Sequence, residues 1–425
     1  MSALPDAASD AAELNDAQPG AAVEALTTTF AGDGETEFAA LEAQARAAAQ
    51  VAATHADDVD RAARFPSEAV AALREQGLLG AMVPRAFGGH GASLRCLAQI
   101  CETLAQACAS TAMIYAMHQI QVACVLEHAP SDAWHQQLLQ RLTGEQLLLA
   151  SATSEDTVGG NLRNSACAVQ AEGNAFSLEK LASTISYGAY ADGILVTARR
   201  NNDAPPSDQV LITILKSDYT LERRSGWDSL GMRGTCSEAF KLIAKGGIEQ
   251  VLPTPFAEIA DRTMLPVSHV LWASCWIGIA ANAVDRAKQF FRVQAKAKPG
   301  TLPPGGTRLA ESVGLLQLAH ARLTMALDSY AQARRSESMS ESMSETMAFA
   351  SDMNLLKTSV STTAIAIVGQ VLMICGMAGY KNGTPFSVGR HLRDLHSAPL
   401  MINNDRIAAN TASLLLAQRS TTLRF

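Results

Sequence analysis

Leu94, Leu97, Ala98, Cys101, Leu104, Ala105 and Cys108 recur at offsets 0, 3, 4, 7, 10, 11 and 14. This single apolar stripe of period 3.6 predicts an amphipathic helix. Helix is also predicted over the Ala-rich stretch 37–63 and over 113–126 and 133–142. A further helix opens at Phe65-Pro66-Ser67-Glu68, with Pro and an acid in its first turn, and ends at Gly77, which tolerates the left-handed conformation. At about Leu147 the pattern changes to short apolar or alternating runs at 147–152, 166–170, 175–178, 193–198 and 209–215. They are separated by turn formers such as Glu172-Gly173-Asn174, which predicts strands. Beyond Pro253-Thr254-Pro255 four long helical patterns follow, at 267–294, 308–335, 347–376 and 400–416, as in an antiparallel bundle. The tetrapeptide Ser336-Glu337-Ser338-Met339 recurs at 340–343 and, with Thr for Ser, at 344–347. It predicts an exposed loop or a frayed helix end.

Composition sharpens this division. Of 425 residues, 48% are hydrophobic and 18% charged, enough for a large core and two or three packed domains. The net charge of −7 lies in residues 1–35, which hold seven acids and neither Lys nor Arg, and which predict a disordered tail dispensable for folding. The rest of the chain is balanced and has no basic block, which argues against nucleic acid as a partner. The eight cysteines are scattered without a C-x-x-C pair, and no signal peptide is visible, so a reducing, cytoplasmic location is expected. The apolar stretches 269–284 and 359–380 are interrupted by Ser, Thr, Gln, Asn and Gly, which predicts buried bundle helices rather than membrane spans.

Three motifs in order carry a family resemblance. The first runs from Phe65-Pro66 through Gly77-Leu78-Leu79-Gly80 and Val83-Pro84 to Phe87-Gly88-Gly89-His90-Gly91. The second is Leu230-Gly231-Met232-Arg233-Gly234-Thr235, and the third is Leu392-Arg393-Asp394. Together they resemble the acyl-CoA dehydrogenase family over about residues 40–420. The resemblance implies a mainly α fold with a central β domain: a helical domain at 36–147, a middle β-barrel at 148–257 and a C-terminal four-helix bundle at 258–425. It further implies an FAD-dependent oxidoreductase that takes a proton and a hydride from adjacent carbons of an acyl thioester, working as a homodimer or homotetramer with an unspecified redox partner.

Residue by residue, the family's flavin loop falls on 154–161. This makes Ser154, Gly159 and Gly160 flavin contacts, although the same residues also suit an ordinary polar turn. The strand lining the flavin ring falls on 180–186 with about two residues inserted, which implies contacts from Thr184 and Ser186. The segment that wraps a neighbouring subunit's dinucleotide resembles 373–380, keeping Gly376 and Gly379 but carrying Met373 where glutamine is usual. No counterpart of the family's R-x-x-F-G segment stands at 294–308.

The largest departure is at the catalytic base. Counting from Arg393-Asp394, the family's glutamate position is Ile402, followed by Asn403 and Asn404, of which Asn404 is assigned to the cofactor. The alternative location on the first bundle helix is Ser268, beside His269. Asp405, three residues past Ile402, is the substitute base on the premise that both lie on one helix face and that burial raises its pKa. His269 and His396 are further titratable candidates, and each of the three also suits a plain packing or surface role. No metal is expected: H-E-x-x-H is absent, and His391 and His396 are five apart, off one helical face. Three functions stay open: α,β-desaturation of an acyl thioester, a flavin-dependent monooxygenase on the same fold using reduced flavin (FMN in that case) and oxygen, or a non-catalytic flavin- or acyl-binding relative.

Overall fold

The computed structural model describes residues 34–129, 132–156, 162–336 and 343–417. The acidic tail up to residue 33, Gly159, Gly160 and the middle of the tetrapeptide repeat lie outside them.

Five helices form the first domain: α1 (Gly34–Ala62), α2 (Ser67–Glu75), α3 (Leu94–Ala107), α4 (Ala109–His128) and α5 (Ala133–Glu145). Gly77 ends the α2 turn at φ +70°. Ser93 caps α3 by accepting the Cys96 N–H, and the stripe begun by Leu94 is buried. Cys108 falls in extended backbone just past the end of α3, so the predicted stripe is one residue longer than the helix. Helix α4 is buried on every side and forms the centre of the first domain.

The middle domain is two sheets. One is β1 (Leu149–Ala152), β4 (Gly193–Arg199) and β5 (Gln209–Leu215) in the order β1-β4-β5, with β1 parallel to β4. The other is antiparallel in the order β2-β3-β7-β6, from β2 (Gln170–Glu172), β3 (Ala175–Ile185), β6 (Tyr219–Ser225) and β7 (Glu238–Gly247). The pairing of β3 with β7 shifts register between Ala182 and Ile185. This irregularity falls where the ring-lining segment has its inserted residues, and a bulge re-aims the side chains beside it.

A stretch of π-helix at Ala260–Met264 leads into α6 (Leu265–Ala297). Helices α7 (Gly306–Ser336) and α8 (Met343–Cys375) complete the long part of the bundle, and α8 packs against both α6 and α7. A short helix α9 (Gly389–Leu395) holds the Leu392-Arg393-Asp394 motif, and α10 (Asn404–Ala417) lies against α8. The fourth long helix thus starts at Asn404 and not at residue 400. Pro399 cannot continue a helix from within, Ile402 is left-handed (φ +50°), and the Asn403 side chain caps α10 by accepting the Asp405 and Arg406 N–H groups.

The two short sequence motifs are structural joints. A Cβ on Gly231 would lie 2.1 Å from the Arg393 carbonyl oxygen, so only glycine allows that approach. Asp394 accepts the Met232 N–H at 2.7 Å, and Arg393 pairs with Asp60 of α1. Burial pushes the Asp394 carboxyl up to about 6. The β domain, bundle and first helix therefore meet at one point. The eight cysteines are all free and buried. Among the described residues, three helical stretches, Ala109–His128, Phe256–Ala297 and Thr346–Cys375, are long and apolar enough to cross a membrane. The apolar windows of the first two are 94% and 83% buried and that of the third is 44% buried.

Candidate functional site

The expected site residues fall in three places. On the β domain, Ser154 donates to the Thr184 carbonyl at 2.9 Å, accepts the Thr184 N–H and lies 3.0 Å from the Thr184 hydroxyl. Its hydroxyl is therefore occupied in pinning the β3 bulge. Ser186 follows the last residue of β3, and its Oγ lies 2.8 Å from Ser237 Oγ, which in turn lies 2.9 Å from Thr235 Oγ1. Thr235 donates to the Met232 carbonyl, so the protons run from Ser186 to Ser237 to Thr235 and leave Ser186 Oγ with free lone pairs. An acceptor presented next to a bulged strand, with the half-open Ser154–Thr184 pair beside it, suits the polar, N–H-bearing edge of a flat heterocycle.

The loop that carries Ser154 is anchored by its neighbour. Glu155 is buried and accepts from Lys180 Nζ at 2.6 Å, from Ser165 Oγ at 2.5 Å and from the Ala166 and Cys167 N–H groups. Lys180, fully buried on β3, also donates to the Thr197 carbonyl at 2.7 Å. Burial alone would push the Glu155 carboxyl up, and the ammonium with its other donors outweighs this and holds it below its ordinary value. Burial lowers Lys180 in spite of that carboxylate. Both residues stand in segments that the resemblance marks, but their inward-facing pairing has no signature in the sequence.

The second place is the turn before α10. Ile402 occupies the position of the family's base with φ +50°, a conformation that costs a β-branched residue about 1–3 kcal/mol. Lys357 of α8, fully buried, donates to the Ile402 carbonyl at 2.7 Å and to Asn404 Oδ1 at 2.7 Å, while Asn404 donates to Ser361 at 3.0 Å. Asn404 is thus held by α8 through both ends of its amide. Asp405 is exposed in the first turn of α10. It shares no helix face with Ile402, because Ile402 precedes the helix, and it lacks the burial expected of a base. This corrects the expectation for Asp405.

On α6, Ser268 is turned back onto its own helix, donating to the Met264 carbonyl. His269 is buried, and its Nδ1 lies 3.2 Å from the Met353 carbonyl, so Nδ1 carries the proton and Nε2 is left as a lone-pair acceptor. Burial and the nearby Lys357 charge push the imidazole down to about 3, so it is neutral and a weak base. Three side-chain nitrogens on one stripe of α6, those of His269 (Nε2), Trp272 and Trp276, are buried without a hydrogen-bond partner. Lys357 Nζ stands 5.9 Å from the Trp276 ring centre. His396 is exposed, and His391 is buried against Asn282 at 2.8 Å. Glu102 of α3 is a carboxylate that burial pushes up to about 7. Its backbone packs on Gly278 of α6, ten residues or roughly 15 Å along the helix from Ser268, and its carboxylate lies 3.3 Å from His320 Nε2 of α7, so it belongs to neither base position.

The third place is the far end of α8. Gly376 is left-handed at φ +54° with open space around it, and Gly379 packs on Cys375. Nineteen residues, roughly 28 Å of helix, separate Lys357 from Gly376. One chain therefore does not bring Gly376 and Gly379 to the turn that holds Asn404. Met373, Met377 and Tyr380 around them are exposed.

Comparison with known proteins places this geometry. Residues 35–146 match the model of the acyl-CoA dehydrogenase N-terminal domain. The chain is 25% identical over 364 residues to cyclohex-1-ene-1-carbonyl-CoA dehydrogenase of Geobacter metallireducens, covering 84% of this chain and 91% of that protein. Among solved structures, FMN-bound TdsC from Paenibacillus sp. A11-2, a dibenzothiophene monooxygenase also solved with FMN and indole, superposes with a TM-score of 0.79 at 20% identity. That match covers 91% of this chain and 99% of the other. Butyryl-CoA dehydrogenase from Megasphaera elsdenii superposes with a TM-score of 0.72 at 17% identity, covering 88% and 98%.

Proposed function

For a chain that has the acyl-CoA dehydrogenase fold and that family's N-terminal domain, we propose a flavin-dependent monooxygenase acting on a small apolar or aromatic molecule. The observation that carries this reading is the absence of a usable base at either place where the fold's dehydrogenases carry one. Ile402 and Ser268 stand at those positions, Asp405 is exposed, and the neutral His269 imidazole is too weak a base to take a proton alpha to a thioester. A monooxygenase needs no such base. It joins one atom of dioxygen to the substrate and releases the other as water, with two electrons supplied by the reduced flavin.

Ser154, Thr184 and Ser186 on the β face would hold the flavin ring, with Ser186 Oγ as acceptor. On the bundle, Ile402, Trp272 and Trp276 would supply a wall of apolar and aromatic character that keeps water from the reaction. The relation to a structure holding FMN supports FMN over FAD, as does the loss of the glutamine at Met373 and of the R-x-x-F-G segment, both of which serve the extended dinucleotide. The half-exposed apolar face of α8, with Leu355 and Met373, and the exposed Met377 and Tyr380 just beyond its end support a homodimer or homotetramer in which the Gly376–Gly379 end serves a neighbouring subunit. The test is turnover of indole by the purified protein with reduced FMN and oxygen. An inactive protein that is instead reduced by acyl-CoA in the absence of oxygen would return the reading to desaturation.

A further inference from the structure

The turn before α10 is built in an unusual way. A β-branched residue, Ile402, is held left-handed, and its carbonyl is bound by an ammonium that is itself fully buried. Among the described residues no carboxylate pairs with Lys357. Its partners are the Ile402 carbonyl and Asn404 Oδ1, each at 2.7 Å. One turn along the same face of α8, Ser361 accepts from the other end of the Asn404 amide at 3.0 Å. A buried ammonium without a counter-ion is unfavourable wherever it stands, and a lysine in an apolar helix would by default turn its amine to solvent. Here it is retained at Ile402, the one non-glycine residue with positive φ among the described residues of the bundle, which stands at the position of the family's base.

We propose that Lys357 is a positioning residue: through the Ile402 carbonyl and Asn404 it clamps the 402–404 turn onto α8, and so fixes the Ile402 side chain as the wall of the reaction site. This rests on the monooxygenase reading for its catalytic consequence, but the clamp itself does not. Without the ammonium, Ile402 relaxes to negative φ, its side chain swings away, and α10 loses its fixed start. His269 on α6 faces the Lys357 charge and stays neutral; Asp405 and Arg406 at the start of α10 are exposed, and the Trp276 face adds only a weak attraction.

The experiment compares the full-length protein with Lys357→Met and with Lys357→Met/Ile402→Gly. It reads amide hydrogen exchange over residues 402–407, FMN affinity, and turnover of indole with reduced FMN and oxygen. Lys357→Met is expected to speed exchange in 402–407 at least tenfold while α3 and β3 keep wild-type protection. It should lower kcat at least tenfold with FMN affinity changed less than twofold. Adding Ile402→Gly, which accepts φ +50° without strain, should restore most of the lost protection but not the turnover, since the wall is then missing. Wild-type exchange or wild-type kcat in Lys357→Met overturns the proposal. If Lys357→Met does not fold, Lys357→Gln, whose shorter amide keeps N–H donors without the charge, must show a smaller change in the same two readouts, and wild-type values there overturn it equally. A wild-type protein without indole turnover refutes the functional reading, and the exchange comparison then still decides the clamp.

Discussion

Replacing Lys180 by methionine removes the ammonium from Glu155 while keeping the length and apolar stem of the side chain. The Glu155 carboxylate would remain buried, with Ser165 Oγ and two backbone N–H groups as its donors and no cation. Breaking one side of a buried pair costs about 3–5 kcal/mol, most of it the uncompensated charge. Lys180→Met should therefore lose about that much stability at pH 7. The double variant Glu155→Gln/Lys180→Met should recover about 1–3 kcal/mol, since the neutral amide oxygen keeps the Ala166 and Cys167 N–H donors and its NH2 can donate to Ser165 Oγ. The pH dependence has a definite sign. In the wild type the Glu155 pKa is below its ordinary value, so its contribution is present above that value and is lost as pH falls. In Lys180→Met the folded-state pKa rises above the unfolded one, so this variant is least penalised in acid. The gap between the two proteins should shrink from pH 7 towards pH 4. Urea unfolding at several pH values, with amide exchange in residues 162–170 as a local monitor, measures it. A loss under about 1 kcal/mol at pH 7, or a gap that widens in acid, would refute the reasoning.

Three other outcomes follow from the structure. Asp405→Asn, on an exposed side chain, should retain flavin and turn over within about twofold of wild type; a loss of a hundredfold with flavin still bound would restore it as the base. Burial lowers Lys357 to about 8 against an unfolded value near 10.5, so the unfolded chain binds the extra proton between those values and stability rises with pH across that window. Relative to Lys357→Met, the wild type should gain about 3 kcal/mol between pH 7 and pH 11 in denaturation midpoints, and a flat difference would contradict this. Light scattering at micromolar concentration should give a dimer or tetramer, and Met373→Glu with Leu355→Glu should shift it towards monomer; a wild-type monomer would contradict the oligomer.

The helical ends of the chain were legible because burial there follows period. The stripe from Leu94 to Ala105 and the Gly77 stop are written in local patterns that packing reinforces. Strand β6 was not, because only Tyr219 of Tyr219–Ser225 is fully buried, Leu221 is half-buried and Glu222-Arg223-Arg224 is an exposed charged edge, leaving too short an alternation to detect. Its partner β7 does alternate at Phe240, Leu242 and Ala244, yet no strand run is predicted there and it falls only within the β domain that the resemblance implies. The start of α10 was misjudged because Leu400, Met401 and Ile402 continue the apolar run, whereas Pro399 and the Asn403 cap settle the boundary. Ile402 at the family's base position was legible only through the resemblance, by counting from Arg393-Asp394. Lys357 was not: a lysine among Leu, Thr, Ser and Val reads as solvated, and only the return of the chain 45 residues later gives it partners.

Oxygen dependence tests the central claim most directly. The purified protein, loaded with FMN, is titrated without oxygen with short-, medium-, branched- and aromatic-chain acyl-CoA thioesters, and in parallel the reduced-FMN form is given indole and ¹⁸O-labelled dioxygen. The predicted result is a flavin spectrum unchanged by every thioester and an indole product carrying one labelled oxygen atom. Bleaching of the flavin by any of the thioesters in the absence of oxygen, with no label incorporated into indole, would contradict it.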